Sequence, residues 1–277
     1  MTVEEVGGIA AGAGKQAIAA GPGHAAVARA AAVGRGKEPG CMLAEGLWLN
    51  AQALEYGAEL EALYVCPELI FKDEWAEVAS RLIARSGEIY TVSEKAYSRI
   101  SEDKADAGLL SVIRMPHWRL DDIPARDTST ILILDGLESP GNVGTLVRTA
   151  EGAGADAVVL TNRRTGLNNR MVVRASLCTM LAMPVLEAGR EELSAFLDAR
   201  GYTVYLGKAE AETSYCDIEY AQCSAIVVGH EKYGVDKAWF AGAHTGVRIP
   251  MRGRVDSLNV AVAGGILLYE AMKKRAD

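Results

Sequence analysis

From Thr130 to Lys274 the chain alternates short apolar runs with segments of helical periodicity, and this alternation leaves little freedom of fold. The runs are Thr130–Leu134, Ala157–Leu160, Val185–Leu186, Thr203–Leu206, Ala225–Val228 and Gly246–Ile249. The helical segments are Val143–Gly152, Met171–Leu181, Glu191–Arg200, Lys237–Ala241 and Ser257–Lys274. Strands without a polar face need covering on both sides, and strands separated by helices pair in parallel, so an α/β domain on a parallel sheet is expected. Clefts in such sheets open beyond the carboxyl ends of the strands. Three runs here stop or turn at residues that carry chemistry: Pro140-Gly141-Asn142-Val143-Gly144-Thr145-Leu146-Val147-Arg148, then Gly229-His230-Glu231-Lys232-Tyr233-Gly234, then Ile249-Pro250-Met251 running to Ser257-Leu258-Asn259. Three such sites in one domain point to an enzyme.

The amino-terminal half reads as a separate unit. Residues 1–36 are dominated by Ala and Gly and offer little to a core, so a mobile or loosely docked arm is expected, with a short helix near Ala25–Ala32. Residues 37–115 carry a second α/β pattern. Strands are expected at Met42–Glu45, Leu60–Cys66, Glu88–Val92 and Gly108–Arg114, and helices at Leu47–Tyr56, Glu74–Ser86 and Ser93–Ser101. Residues 116–126, with two prolines and Asp121-Asp122, read as a linker, and 127–277 as the second domain.

At 277 residues the chain is long enough for a buried core, and 49% hydrophobic with 23% charged residues describes a globular protein. No apolar run reaches the roughly 18–20 residues that span a bilayer, and no secretory signal is visible at the amino terminus, so a cytoplasmic protein is expected. The five cysteines Cys41, Cys66, Cys178, Cys216 and Cys223 are scattered and include no C-x-x-C pair, which reads as free thiols; with four scattered histidines, no metal site is expected. A net charge of −7 argues against indiscriminate nucleic-acid binding. Arginines are nonetheless concentrated locally, as Arg163, Arg164, Arg170 and Arg174 and as Arg248, Arg252 and Arg254. Guanidinium groups bind phosphate through bidentate contacts even on an acidic protein.

Two familiar glycine motifs are excluded. Gly14-Lys15 lacks the spacing and preceding strand of a P-loop, and Gly152-Ala153-Gly154-Ala155 follows a helix, where a dinucleotide fingerprint follows a strand. In the first motif, the turn before Val143 leaves a helix N-terminus open to an anion, while Asn142 as plain N-cap and Arg148 as a surface charge is an equal reading. Glu231 reads as a hydrogen-bond acceptor or as a cap, His230 has no partner spacing for acid–base work, and Ser257 reads as the N-cap of the last helix.

Together the three segments resemble the SpoU/TrmH-type RNA ribose 2′-O-methyltransferases of the SPOUT superfamily. The family pattern Pro-Gly-Asn-x-Gly-x-x-x-Arg, Gly-x-Glu-x-x-Gly and Ile-Pro-Met followed by Ser-Leu-Asn-Val is matched in order at Pro140–Arg148, Gly229–Gly234 and Ile249–Val260. Leu43-Ala44-Glu45-Gly46 and Ala107–Val112 fit the family's substrate-binding domain, while Ala261 and Lys232-Tyr233 are unusual fillings. The resemblance implies a trefoil-knotted SPOUT methyltransferase domain with a smaller L30e-like α/β domain, S-adenosylmethionine as methyl donor, and a homodimer acting on RNA. It implies Asn142, Arg148, Glu231, Ser257 and Asn259 as the catalytic set, with Leu206, Gly207, Gly229, Ile249, Met251 and Leu258 bordering the donor. Arg163, Arg164, Arg170 and Arg174 are the expected grip on RNA. Arg148 is expected to hold a phosphate and stabilise the ribose alkoxide, since literal general-base work by a guanidinium demands a strong perturbation. Ribosomal RNA, 23S rRNA above all, is the expected substrate, with antibiotic protection as one version of it. Transfer RNA, or an RNA-binding role without catalysis, are the alternatives.

Overall fold

The computed structural model of the protein describes residues 1–71, 73–102, 108–242 and 244–273. Ala107 and Lys274, named above, lie outside the described residues. The chain divides into two units, residues 1–116 with 167–181, and 117–166 with 182–277.

The first unit holds α1 (Val3–Gly12), β1 (Ala17–Ala19), α2 (Ala25–Gly34), β2 (Cys41–Glu45), α3 (Gly46–Glu55), β3 (Leu60–Val65), α4 (Asp73–Arg85), β4 (Glu88–Thr91), α5 (Glu94–Tyr97) and β5 (Leu109–Arg114). Its sheet runs β1-β4-β3-β5-β2, with β5 antiparallel to both neighbours. The first 36 residues are therefore part of this fold, which corrects the expectation of a mobile arm. β1 pairs with β4, Thr2 caps α1 in a capping box, and Ala26, Val27, Ala30 and Val33 of α2 are buried in the core. Alanines looked like poor core material, yet their small side chains let a helix lie close on a sheet. The Tyr64 hydroxyl donates to the Ala26 carbonyl at 2.7 Å and ties α2 down.

The second unit carries a seven-stranded, wholly parallel sheet. Its elements are β6 (Ser129–Asp135), α6 (Pro140–Ala153), β7 (Ala157–Thr161), then β8 (Val185–Glu187), α8 (Arg190–Ala199), β9 (Thr203–Gly207), β10 (Thr213–Ser214), β11 (Cys223–Gly229), β12 (Thr245–Arg248) and α9 (Val260–Met272). The intervening α7 (Arg170–Ser176) belongs with the first unit. The sheet order is β10-β12-β9-β11-β6-β7-β8, so the six expected strands are all present and a two-residue edge strand joins them. The expected linker is partly structured: Leu120–Asp122 forms a 3₁₀ turn, and Leu120 and Ile123 enter the core of this unit beside Trp239.

Candidate active site

Because the strands are parallel, their carboxyl ends lie on one edge of the sheet. Register places Gly229 of β11 opposite Asp135 of β6, and Gly207 of β9 opposite Val247 of β12. The three motifs leave the sheet at this edge.

Asn142 is not the N-cap of the helix that carries the first motif. Ser139 is the N-cap and Pro140 the first helical residue, a position where a missing N–H costs nothing. Asn142 therefore lies inside the first turn, and its amide faces two partners. Asn142 Nδ2 donates to Glu231 Oε1 at 2.9 Å, and Asn142 Oδ1 accepts from Asn259 Nδ2 at 3.1 Å. The Glu231 carboxylate also accepts from the N–H of Glu138 and of Ser139, at 3.2 and 3.1 Å. Burial alone would push the Glu231 carboxyl up, but the hydrogen bonds from Asn142 and from the backbone of Glu231, Glu138 and Ser139 outweigh it and hold the group below its ordinary value. Asn259, not Ser257, caps α9, its Oδ1 accepting from Ala261 and Val262. Ser257 lies two residues before that cap, exposed, with its hydroxyl 3.3 Å from Asp256 Oδ1. One polar chain thus runs from the N-terminus of α9 through Asn259 and Asn142 to Glu231. It joins all three motifs.

Arg148 stands on the exposed face of α6 and, among the described residues, makes no hydrogen bond or ion pair. Its guanidinium is free for a ligand. Behind it, α6 and α9 pack closely through glycine: a Cβ at Gly264 would lie 2.6 Å from Leu146 Cδ2, and one at Gly265 would lie 3.4 Å from Thr149 Cγ2.

The residues expected to border the methyl donor are also at this edge. Leu206 and Gly207 end β9, Gly229 ends β11, and Ile249 and Met251 follow β12. Gly229 is needed by the chain itself, since a Cβ there would sit 2.2 Å from the backbone of Gly234 and Val235. Residues 249–258 form no regular element, and among the described residues their backbone makes no backbone–backbone hydrogen bond. Unpaired peptide groups beside half-buried Ile249 and Met251 and exposed Leu258 fit a heteroaromatic ring that stacks on apolar side chains and bonds to main chain.

The four arginines expected to grip RNA are not equivalent. Arg163 and Arg164 are exposed on the second unit and pair with Glu187 at 2.9 Å and Glu138 at 3.4 Å. Arg174 is exposed on α7. Arg170 is turned inward, its side chain 14% exposed, and donates to Glu45, the Gly34 carbonyl and the Ile100 carbonyl. The expectation that Arg170 grips RNA is corrected: its donors are already engaged in holding the first unit together.

Sequence reasoning overlooked Asp135. It is 2% exposed at the end of β6, where it accepts from Thr161 Oγ1 at 2.9 Å, Asn162 Nδ2 at 2.6 Å and the Asp236 N–H at 2.9 Å. It therefore ties the end of β7 and the loop after the second motif to the first. The available signal was a lone carboxylate closing an apolar strand, followed by Gly136 at φ +71°.

Residues 129–269 match the SpoU rRNA Methylase family, and residues 35–111 match an MRM3-like substrate binding domain. The chain belongs to the SpoU rRNA methylase family. Among curated SpoU-type relatives is the 23S rRNA (guanosine(2553)-2′-O)-methyltransferase RlmP of Bacillus subtilis, 32% identical over 74% of this chain and 80% of that protein. A putative TrmH family tRNA/rRNA methyltransferase of Staphylococcus aureus is 36% identical over 54% of this chain and 60% of its own length. The fold is similar to that of an AdoMet-bound rRNA methyltransferase from Sinorhizobium meliloti, with a TM-score of 0.82, 28% identity and coverage of 94% of this chain and 99% of that one. An RNA 2′-O ribose methyltransferase matches with a TM-score of 0.78 and 31% identity over 94% and 99% of the two chains.

Proposed function

We propose that this protein methylates a ribose 2′-hydroxyl of ribosomal RNA, within 23S rRNA, using S-adenosylmethionine. The observation that carries the reading is the polar chain Asn259–Asn142–Glu231 at the sheet edge, with the unpaired guanidinium of Arg148 on the same helix as Asn142. The bound donor supplies an electrophilic methyl on a sulfonium.

The protein's part is to align a hydroxyl with that methyl and stabilise the charge that develops on its oxygen. Arg148 does the second, as a permanent cation that holds an RNA phosphate and faces the developing alkoxide. Asn142 and Glu231 hold the first turn of α6, and with it Arg148, in place. Asn259 fixes the start of α9, and Ser257 borders the same loop. Leu206, Gly207, Gly229, Ile249, Met251 and Leu258 border the donor. Arg163, Arg164 and Arg174 offer guanidinium groups to the RNA backbone.

A trefoil-knotted path and a homodimer belong to the same reading. The dimer is supported by α9, on which Val262 and Tyr269 expose 52% and 55% of their surface seven residues apart, with Val255 and Leu258 exposed just before the helix. Among the described residues no helix is long and apolar enough to cross a membrane, as a cytoplasmic enzyme requires.

The test is to incubate the protein with labelled S-adenosylmethionine and separated ribosomal and transfer RNA, then locate the alkali-resistant 2′ position. Label in 23S rRNA at one ribose is expected. Label confined to transfer RNA overturns the substrate, and RNA binding without transfer overturns the activity.

A further inference from the structure

The second motif holds a residue that the catalytic reading leaves unused. Tyr233 is 73% exposed, although it lies only two residues from Glu231. Its loop is rigid. The Gly234 N–H donates to the His230 carbonyl at 2.8 Å, the Lys232 N–H donates to His230 Nδ1 at 3.0 Å, and Gly229 packs against the Gly234–Val235 backbone. Glu231 anchors this loop to the first turn of α6 through Glu138, Ser139 and Asn142. Two side chains project from the tip: Lys232, with Nζ 5.3 Å from the Tyr233 ring centre, and Tyr233, its ring 4.7 Å from that of His230 at 49°. They border an open cleft of about 610 Å³ lined by Glu138, Ser139, His230, Glu231, Lys232 and Tyr233.

An aromatic face beside an ammonium group matches the two handles of one nucleotide, base and phosphate. We propose that Tyr233 is a stacking platform for a base of the substrate RNA beside the methylated ribose, with Lys232 on the adjoining phosphate. Single-stranded and splayed nucleotides are held in this way, because every base has a π-face and the contact leaves the sugar edge free. Tyr233 would thus position the target without touching the reacting atoms. The inference rests on the ribose-methylation reading.

The test compares Tyr233→Ala, Tyr233→Phe and Tyr233→Trp with wild type on the labelled RNA. Loss of one base stack should raise the KM for RNA by about fivefold to a hundredfold in the alanine variant. Its kcat at saturating RNA and its calorimetric affinity for S-adenosylmethionine should stay within about twofold of wild type, and both aromatic variants should restore KM. An RNA made abasic at the stacked nucleotide should lose affinity for wild type but lose little more for Tyr233→Ala. A wild-type KM in the alanine variant overturns the platform. So does a phenylalanine variant as impaired as alanine, which would assign the hydroxyl instead, or an altered sedimentation of Tyr233→Ala, which would make the residue a subunit contact. If wild type transfers methyl to no RNA, the ribose-methylation reading falls first and this inference with it.

Discussion

Asn142 uses both ends of its amide at once, donating to Glu231 and accepting from Asn259. An aspartate there would face Glu231 with like charge, and an apolar residue would remove one hydrogen bond from Glu231 and leave the Asn259 amide nitrogen without its Asn142 acceptor. Arg148, by contrast, is held only by its helix, and that freedom makes it the test of mechanism. Arg148→Ala should lower methyl transfer at least about 100-fold while calorimetric donor binding persists. Undiminished transfer in that variant would remove Arg148 from the mechanism. Glu231 brings a pH dependence. Its carboxyl is held below its ordinary value, so the loop's stabilisation is complete above the usual carboxylate range near 4 and is lost as pH falls through the lowered value. Glu231→Gln should therefore flatten the acid side of the thermal-stability profile, read by calorimetry between pH 6 and pH 3. Asp135 works by burial. Asp135→Ala strands the Asp236 N–H, the Thr161 hydroxyl and the Asn162 amide, and should cost roughly 3 kcal/mol in denaturant unfolding. A change under about 1 kcal/mol would mean that water replaces the carboxylate.

Among the elements, α7 departs most from its sequence pattern. The apolar periodicity predicts one helix from Met171 to Leu181, but the helix stops at Ser176 because Leu177 and Cys178 take positive φ, +52° and +62°, before a 3₁₀ turn resumes. Periodicity reports which face is buried and cannot report a left-handed break made by residues other than glycine. The same element carries Arg170, whose guanidinium meets Glu45 with both side chains nearly buried. Removing one member of such a pair leaves a charge in a poor solvent. Arg170→Ala should cost about 3 kcal/mol in stability, seen in urea unfolding, and should leave the salt dependence of RNA binding unchanged. A reduced salt slope with unaltered stability would restore its role on RNA. At the amino terminus, Lys15 Nζ bonds the carbonyls of Ala84 and Ser86, at 2.7 and 2.6 Å, a tie that composition cannot disclose. Burial also settles the thiols: desolvation pushes Cys41 up to about 11 and Cys66 and Cys178 up to about 12, so none is a thiolate at neutral pH.

For the whole molecule, each unit has its own sheet and core, and the surface left over is informative. The exposed stripe of Val262 and Tyr269 on α9 is unpartnered in one chain. Val262→Asp should shift the protein toward monomer in analytical ultracentrifugation, because a charge in a dimer seam is desolvated without a partner. A wild type that sediments as a monomer would remove the dimer from the reading. The sequence by itself determined the parallel sheet, since uniformly apolar strands between amphipathic helices have few other ways to bury both faces, and it determined the three strand-end motifs through residue types that regular strands avoid. It did not determine which of those residues touch. That Asn142 bridges Glu231 and Asn259, that Asp135 pins two loops, and that Arg170 turns inward depend on partners from 26 to 136 positions away along the chain. Hydrogen bonds and ion pairs act over a few ångströms, and only the folded backbone decides which groups come that near.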